Sequence, residues 1–268
     1  MKKTLMSLAM TAMLGLASAS ASATFLDFKV NEGVVTGAFP NIFTADKLNG
    51  GYTEFLAPSG ATTFSAAAVG NIGQYFSNEG ATLVGSQLNG LVLPGITNGY
   101  GIYAIFTAAG NITGPNSFQG TSGGFSLYVD RNQDTTFTTF NASNNAFLTP
   151  TADAGTVGDD TLLASTFTTV SGSGNLNGPP GAFDITFKDF TLTAFGKSYF
   201  FDPDPFHLVV QINGDYDQLV TIDAETGLRK ITGDVSAVFV VPEPGSLALL
   251  GLGLAGLGLV KRRRNLAK

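Results

Sequence analysis

Apolar residues recur at every second position through much of this chain, the period of a strand with one face towards a core. Phe206, Leu208, Val210 and Ile212 alternate with His207, Val209, Gln211 and Asn213, and Val235, Ala237, Phe239 and Val241 repeat the pattern. Phe183, Ile185 and Phe187 alternate cleanly, after which Phe190, Leu192 and Ala194 continue on the opposite parity. A strand cannot change faces without a bulge or a tight turn, so one is expected at Lys188-Asp189. Between Gly99 and Thr107 both parities are apolar, which predicts a central strand covered on both sides. Asn49-Gly50-Gly51, Asn89-Gly90, Asn98-Gly99, Ser171 to Gly181 and Asn213-Gly214-Asp215 read as turns or loops that cut the chain into short runs. Thirty threonines add β-branched bulk, while the helix signals at Ala45 to Asn49 and Ala66 to Ala68 are too short to matter. The pattern predicts one all-β domain of about ten strands or more, a sandwich or a jelly roll.

The two ends follow a different logic. Lys2 and Lys3 precede the apolar run Leu5 to Ala17, and Ala21-Ser22-Ala23 gives a small-x-small cleavage pattern, so residues 1–23 read as a secretory signal peptide. At the other end, residues 245–260 carry no charge and would span about 24 Å as a helix, short of the roughly 30 Å hydrocarbon core unless flanking residues extend it. Lys261, Arg262, Arg263 and Arg264 follow at once as a basic stop, which by the positive-inside rule stays cytoplasmic and leaves the preceding domain outside. The domain plan is therefore a leader over 1–23, an all-β ectodomain over 24–241 and a transmembrane tail over 242–268.

Just before the apolar span stands Val241-Pro242-Glu243-Pro244. Two prolines around one residue lock an extended segment that no helix absorbs, a geometry suited to recognition by a membrane protease. The Pro242, Glu243, Pro244 motif, the short Gly/Leu-rich span and the Arg cluster together resemble the PEP-CTERM sorting tail. That resemblance implies an exosortase as processing partner, in bacteria that make exopolysaccharide. Phe43 to Tyr52, Asp130 to Thr135, Asp189 to Gly196 and Thr232 to Phe239 are similar to the flocculation-associated PEP-CTERM proteins, a resemblance that implies floc formation through extracellular polysaccharide and carries over no catalytic residue.

Composition narrows the chemistry. Without cysteine there is no disulfide framework, thiol nucleophile or Cys-ligated metal, and His207 is the only imidazole. The net charge of -6 hides an asymmetry: residues 24–241 hold 19 acids and 7 bases, a net of -12. So acidic an ectodomain argues against nucleic acid and leaves cations, neutral glycans or basic partners.

Candidate sites are few. Asp130, Asn132 and Asp134 place oxygen ligands at alternate positions, as in the first half of a calcium loop. Thr135 and Asn141 stand where an EF-hand needs glycine and a bidentate glutamate, so calcium here would require a distant acid such as Asp159 or Asp160. The alternative is an Asx-stabilised surface turn. Asp202-Pro203-Asp204-Pro205 reads as a pinned edge. Gly120-Thr121-Ser122-Gly123-Gly124 matches the nucleophile elbow in letters, but a strand rather than a helix is expected after it. Tyr52, Tyr100, Tyr103, Tyr128 and Tyr216 are rings on which sugar faces can dock. The expected function is that of an exported, exosortase-processed, non-catalytic surface or matrix protein promoting flocculation with exopolysaccharide. A calcium-dependent carbohydrate-binding module is the alternative, and a secreted hydrolase a third reading.

Overall fold

The computed structural model describes residues 25–90, 99–114, 117–137, 157–175, 181–221, 224–225 and 227–240. In chain order they form β1 (Phe28–Asn31), a 3-10 turn (Glu32–Val34), β2 (Ile42–Ala45), β3 (Lys47–Pro58), β4 (Thr63–Ser77), β5 (Thr82–Val84), β6 (Gly101–Gly114) and β7 (Ser117–Asp130). β8 (Thr161–Thr166), β9 (Thr168–Asn175), β10 (Gly181–Lys188), β11 (Thr191–Leu192), α1 (Ala194–Tyr199), β12 (Phe200–Asp202), β13 (Val210–Tyr216), β14 (Gln218–Thr221) and β15 (Arg229–Phe239) follow. The all-β expectation holds. The sandwich or jelly roll gives way to a closed barrel.

Eight strands run round the ring in the order β7-β6-β4-β3-β15-β13-β10-β9, every neighbour antiparallel. The ring shuts because β7 divides its pairing: Ser117, Phe118 and Gln119 meet Asn175, Gly174 and Ser173 of β9, whereas Phe125 to Val129 pair with β8. Closure removes the free edges that two stacked sheets would keep. Alternation along one sequence is the same for a sandwich and a barrel, and only the β7–β9 seam separates them.

Glycine makes the ring close tightly. A register shift lies between Asn49 and Gly50, and a Cβ on Gly50 would fall on the Asn71 carbonyl. Asn49-Gly50-Gly51 is therefore a bulge inside β3, not a turn. Asn213-Gly214-Asp215 likewise lies within β13, with Gly214 against the Asp234 carbonyl and the Phe183 ring, and Ser171 to Asn175 belong to β9. Asn89 and Gly90 do form a turn, with φ of 54° and 65°. The expected break at Lys188-Asp189 is real: β10 stops at Lys188 and the chain turns through Asp189 at φ 59°.

Eight strands enclose a lumen just wide enough for side chains. Tyr52 meets Phe183 edge-on at 5.5 Å, Phe64 meets Phe118 at 5.2 Å, and Phe125 meets Phe187 at 5.5 Å. One end of the barrel carries the β3–β4 and β6–β7 hairpin turns. The other is capped by the small sheet β12-β1-β2, whose Phe28 packs on Tyr75, Phe200, Phe206 and Phe239. Burying a ring of this size contributes roughly 1.5–3 kcal/mol, so Phe28 holds cap and barrel together.

Two strand expectations shift here. The run from Phe206 becomes a strand only at Val210, leaving Leu208 exposed and Val209 buried. The run from Phe190 keeps two strand residues and then turns into α1, because the Thr193 hydroxyl accepts the Gly196 N–H at 3.0 Å and caps a helix.

Candidate functional site

Five places on the molecule bear on function, the first of them the point where the barrel ends. Phe239 closes β15, its carbonyl accepting the Leu26 N–H at 2.9 Å, and Val240 donates to the Val209 carbonyl at 3.2 Å. Both ends of the described chain thus leave from the capped end. Pro242, Glu243 and Pro244 start two residues on; they lie outside the described residues, as do the apolar span 245–260 and Lys261, Arg262, Arg263 and Arg264. Among the described residues, no helix is long and apolar enough to cross a membrane.

The second place is the loop after β7. Asp130 is buried, and its Oδ1 accepts the N–H groups of Asn132, Gln133 and Asp134 at 3.1, 2.6 and 3.4 Å, its Oδ2 that of Thr135 at 2.9 Å. This is an Asx turn, which the Asp-x-Asn-x-Asp spacing also serves. Asn132 and Asp134 point their side chains to solvent, so the structure does not gather the three alternate ligands. It gathers instead Asp130, Asp159 and Asp160, one oxygen of each lying within 4.8 Å of the others. Asp159 accepts the Asn132 N–H at 3.0 Å, and Asp160 accepts the Tyr103 hydroxyl at 2.6 Å and the Thr135 hydroxyl at 3.0 Å. Burial raises the Asp160 carboxyl above its usual range, its neighbours Asp130 and Asp159 add to this, and the two hydroxyl donors pull the other way. Tyr103 is covered on the barrel's outer face by Tyr128, stacked at 5.1 Å, and by Phe137, edge-on at 5.2 Å. Three acids with oxygen ligands form a hard-cation environment, though four backbone donors already occupy Asp130.

The third place is the barrel's outer wall. Ser173, Asp184, Asn213, Ser236, Asn49 and Gln74 stand directly opposite one another across six neighbouring strands. Strands lie about 4.8 Å apart, so one hydrogen-bonding side chain recurs per strand. Asp215 and Asp234 lie beside this row, and a shallow cleft of about 600 Å³ runs along its Ser173, Asp184, Asn213 and Ser236. Ser236 donates to Asn49 at 2.7 Å, and the Gln211 amide donates to Asp184.

The remaining places are internal. Glu54 shares the inward parity of Tyr52 and Leu56 and lines a lumen cavity of about 60 Å³ otherwise walled mainly by rings and aliphatic groups. Burial pushes its carboxyl up to about 7. At the capped end, Glu32 is fully buried and accepts the Gln87 N–H at 2.7 Å, the Tyr100 hydroxyl at 2.9 Å, the Asn41 amide at 2.6 Å and the Gln87 amide at 3.1 Å. Since Tyr100 donates to Glu32, Tyr199 donates to Tyr100 at 2.5 Å and Tyr75 to Tyr199 at 2.8 Å, a one-way chain of hydroxyls. Neither glutamate is marked by a motif; the inward parity of Glu54 was the signal available for it, and Glu32 has none.

His207 places Nε2 2.8 Å from the Asp27 carbonyl and packs against Phe206 and Phe239, a structural arrangement. Ser122 lies in mid-β7 opposite Ala109, so the Gly120 to Gly124 letters fall within a strand rather than at a strand-to-helix elbow.

The family model of the PEP-CTERM protein-sorting motif matches residues 240–264, so the chain carries a PEP-CTERM sorting motif at that end. The motif implies processing by exosortase and a membrane-anchored, exported precursor sorted to the cell surface. No curated protein and no solved structure matches the chain.

Proposed function

We propose that the sorted protein acts without catalysis as a surface or matrix component that promotes flocculation with exopolysaccharide. The observation that carries the reading is the sorting motif at residues 240–264, which commits the barrel to the cell exterior. The polar row on the outer wall supports it, because hydroxyl, amide and carboxylate groups repeating along a shallow cleft match the chemistry of a polyhydroxylated chain. Deleting the gene abolishes aggregation while export of polysaccharide continues; a mutant that flocculates normally refutes the proposal.

A second reading, calcium-dependent glycan binding, is favoured by one observation: Asp159 and Asp160 converge on Asp130 beside the Tyr103–Tyr128 stack. On this reading EDTA lowers both the melting temperature and glycan retention. Unchanged values in both measurements dispose of it.

A further inference from the structure

Exposed apolar side chains are distributed unevenly over the barrel. Of the eight large ones among the described residues, only Ile112 belongs to the hairpin end, and the others lie on the cap or the adjoining half of the wall. Phe167 is 72% and Leu208 62% exposed, against 39% for Ile112. Phe167 and Leu208 flank one hydrogen-bonded path: Thr166 donates to the Lys188 carbonyl, Phe190 to the Leu208 carbonyl, and Val240 to the Val209 carbonyl. Phe201, 38% exposed, lines with Leu208, Pro203 and Pro205 a groove of about 260 Å³ on the same end, so here it is the clustering and not the exposure of one ring that sets the surface apart from Ile112. The patch therefore abuts the point from which the tail departs.

Charge separates this patch from the rest of the surface. Around it Lys29, Lys188 and Lys197 face Asp27, Asp189, Asp202 and Asp204, a net of -1, whereas residues 24–241 carry a net of -12. Chain length then sets the distance. From Val240 to Gly245, the first residue of the apolar span, there are five residues, which reach at most roughly 18 Å when fully extended.

We propose that, before processing, the capped end of the barrel docks on the outer surface of the lipid bilayer through the patch around Phe167, Phe201 and Leu208. It rests on the tail being a membrane anchor. A nearly neutral, apolar rim held within this reach faces lipid at high effective concentration, so modest intrinsic affinity suffices. The hairpin end then points outward, since Ile112 lies ten residues along β6 from Ile102, roughly 33 Å of strand.

The chain contains no cysteine, so Phe167→Cys, Leu208→Cys and Ile112→Cys each introduce a single thiol at an exposed position. The full-length chain carrying a fluorophore there is reconstituted into phosphatidylcholine vesicles containing nitroxide lipid, and integration is checked by resistance to alkaline extraction. The expected result is about twofold or greater quenching at 167 and 208 and none at 112. A Gly/Ser insert of about 20 residues after Val240 lengthens the tether, and quenching at 167 and 208 persists if the patch itself has affinity for lipid. Equal quenching at all three positions, or its loss with the insert, overturns docking while leaving the anchor intact. Extraction of the chain overturns both. Shielding of 167 and 208 that grows with protein concentration in detergent, without quenching in vesicles, assigns the face to a second copy and also overturns the proposal.

Discussion

Replacing Glu54 by glutamine removes the only carboxyl that lines the lumen cavity among the described residues. Burial raises this group from 4.5 to about 7 in the folded protein. Below pH 4.5 folded and unfolded chains both hold the proton, and the group leaves stability unchanged. Between these values the unfolded chain releases the proton and the barrel retains it, so stability falls as pH rises. Above pH 7 both are ionised and the full cost applies. At 1.36 kcal/mol per pH unit its ceiling is about 3 kcal/mol. Glu54 is only half-buried by surface, so solvent reaching its carboxylate lowers this to about 1–3 kcal/mol. Glutamine keeps the shape and does not titrate. Thermal melts of wild type and Glu54→Gln from pH 4 to pH 8 therefore coincide at the acid end and diverge above it, the variant melting higher by roughly 2–10 °C at pH 8. The raised carboxyl of Asp160 titrates alike in both proteins and cancels in the difference. A variant no more stable than wild type at pH 8, or more stable by the same amount at every pH, refutes the assignment.

Three further outcomes follow from the geometry. Tyr199→Phe interrupts the hydroxyl chain between Tyr75 and Tyr100 and should lower unfolding free energy by about 1–3 kcal/mol in urea titrations, with the denaturant slope unchanged. Gly50→Ala drives a methyl into the Asn71 carbonyl; a loss of roughly 1–3 kcal/mol is expected, and an unchanged midpoint would show that the bulge can relax. Replacing Pro242 and Pro244 by alanine should leave a larger, membrane-retained form on immunoblots of cell fractions.

Strand content was legible because period-2 alternation reports burial directly, and the Lys188-Asp189 phase break located a real turn. The barrel was not legible, since a three-residue seam between β7 and β9 leaves no mark on either strand's pattern. Asn49-Gly50-Gly51 and Asn213-Gly214-Asp215 misled for a related reason: the letters of a hairpin turn are also those of a strand where two backbones approach too closely for a Cβ. α1 was hidden by Thr193, which suits a strand until its hydroxyl caps a helix. At the acidic loop, Asp130 was found for its oxygens, yet its partners Asp159 and Asp160 come from 29 and 30 residues further along the chain, and spacing could offer them only as candidates.

The position of β15 sets how late in export the barrel can close. This last strand is not at a margin of the ring: it sits between β3 and β13, matched to β3 over ten residue pairs from Arg229 to Val238. A chain crossing a membrane from its N-terminus holds β3, β4, β6 and β7 outside long before their closing neighbour arrives. The ring can be completed only when residues 229–239 have emerged, by which time the apolar span, five residues behind Val240, has reached the membrane. Closure of the ring therefore cannot precede the arrival of the span, and a truncation that deletes β15 should yield an exported but protease-sensitive chain.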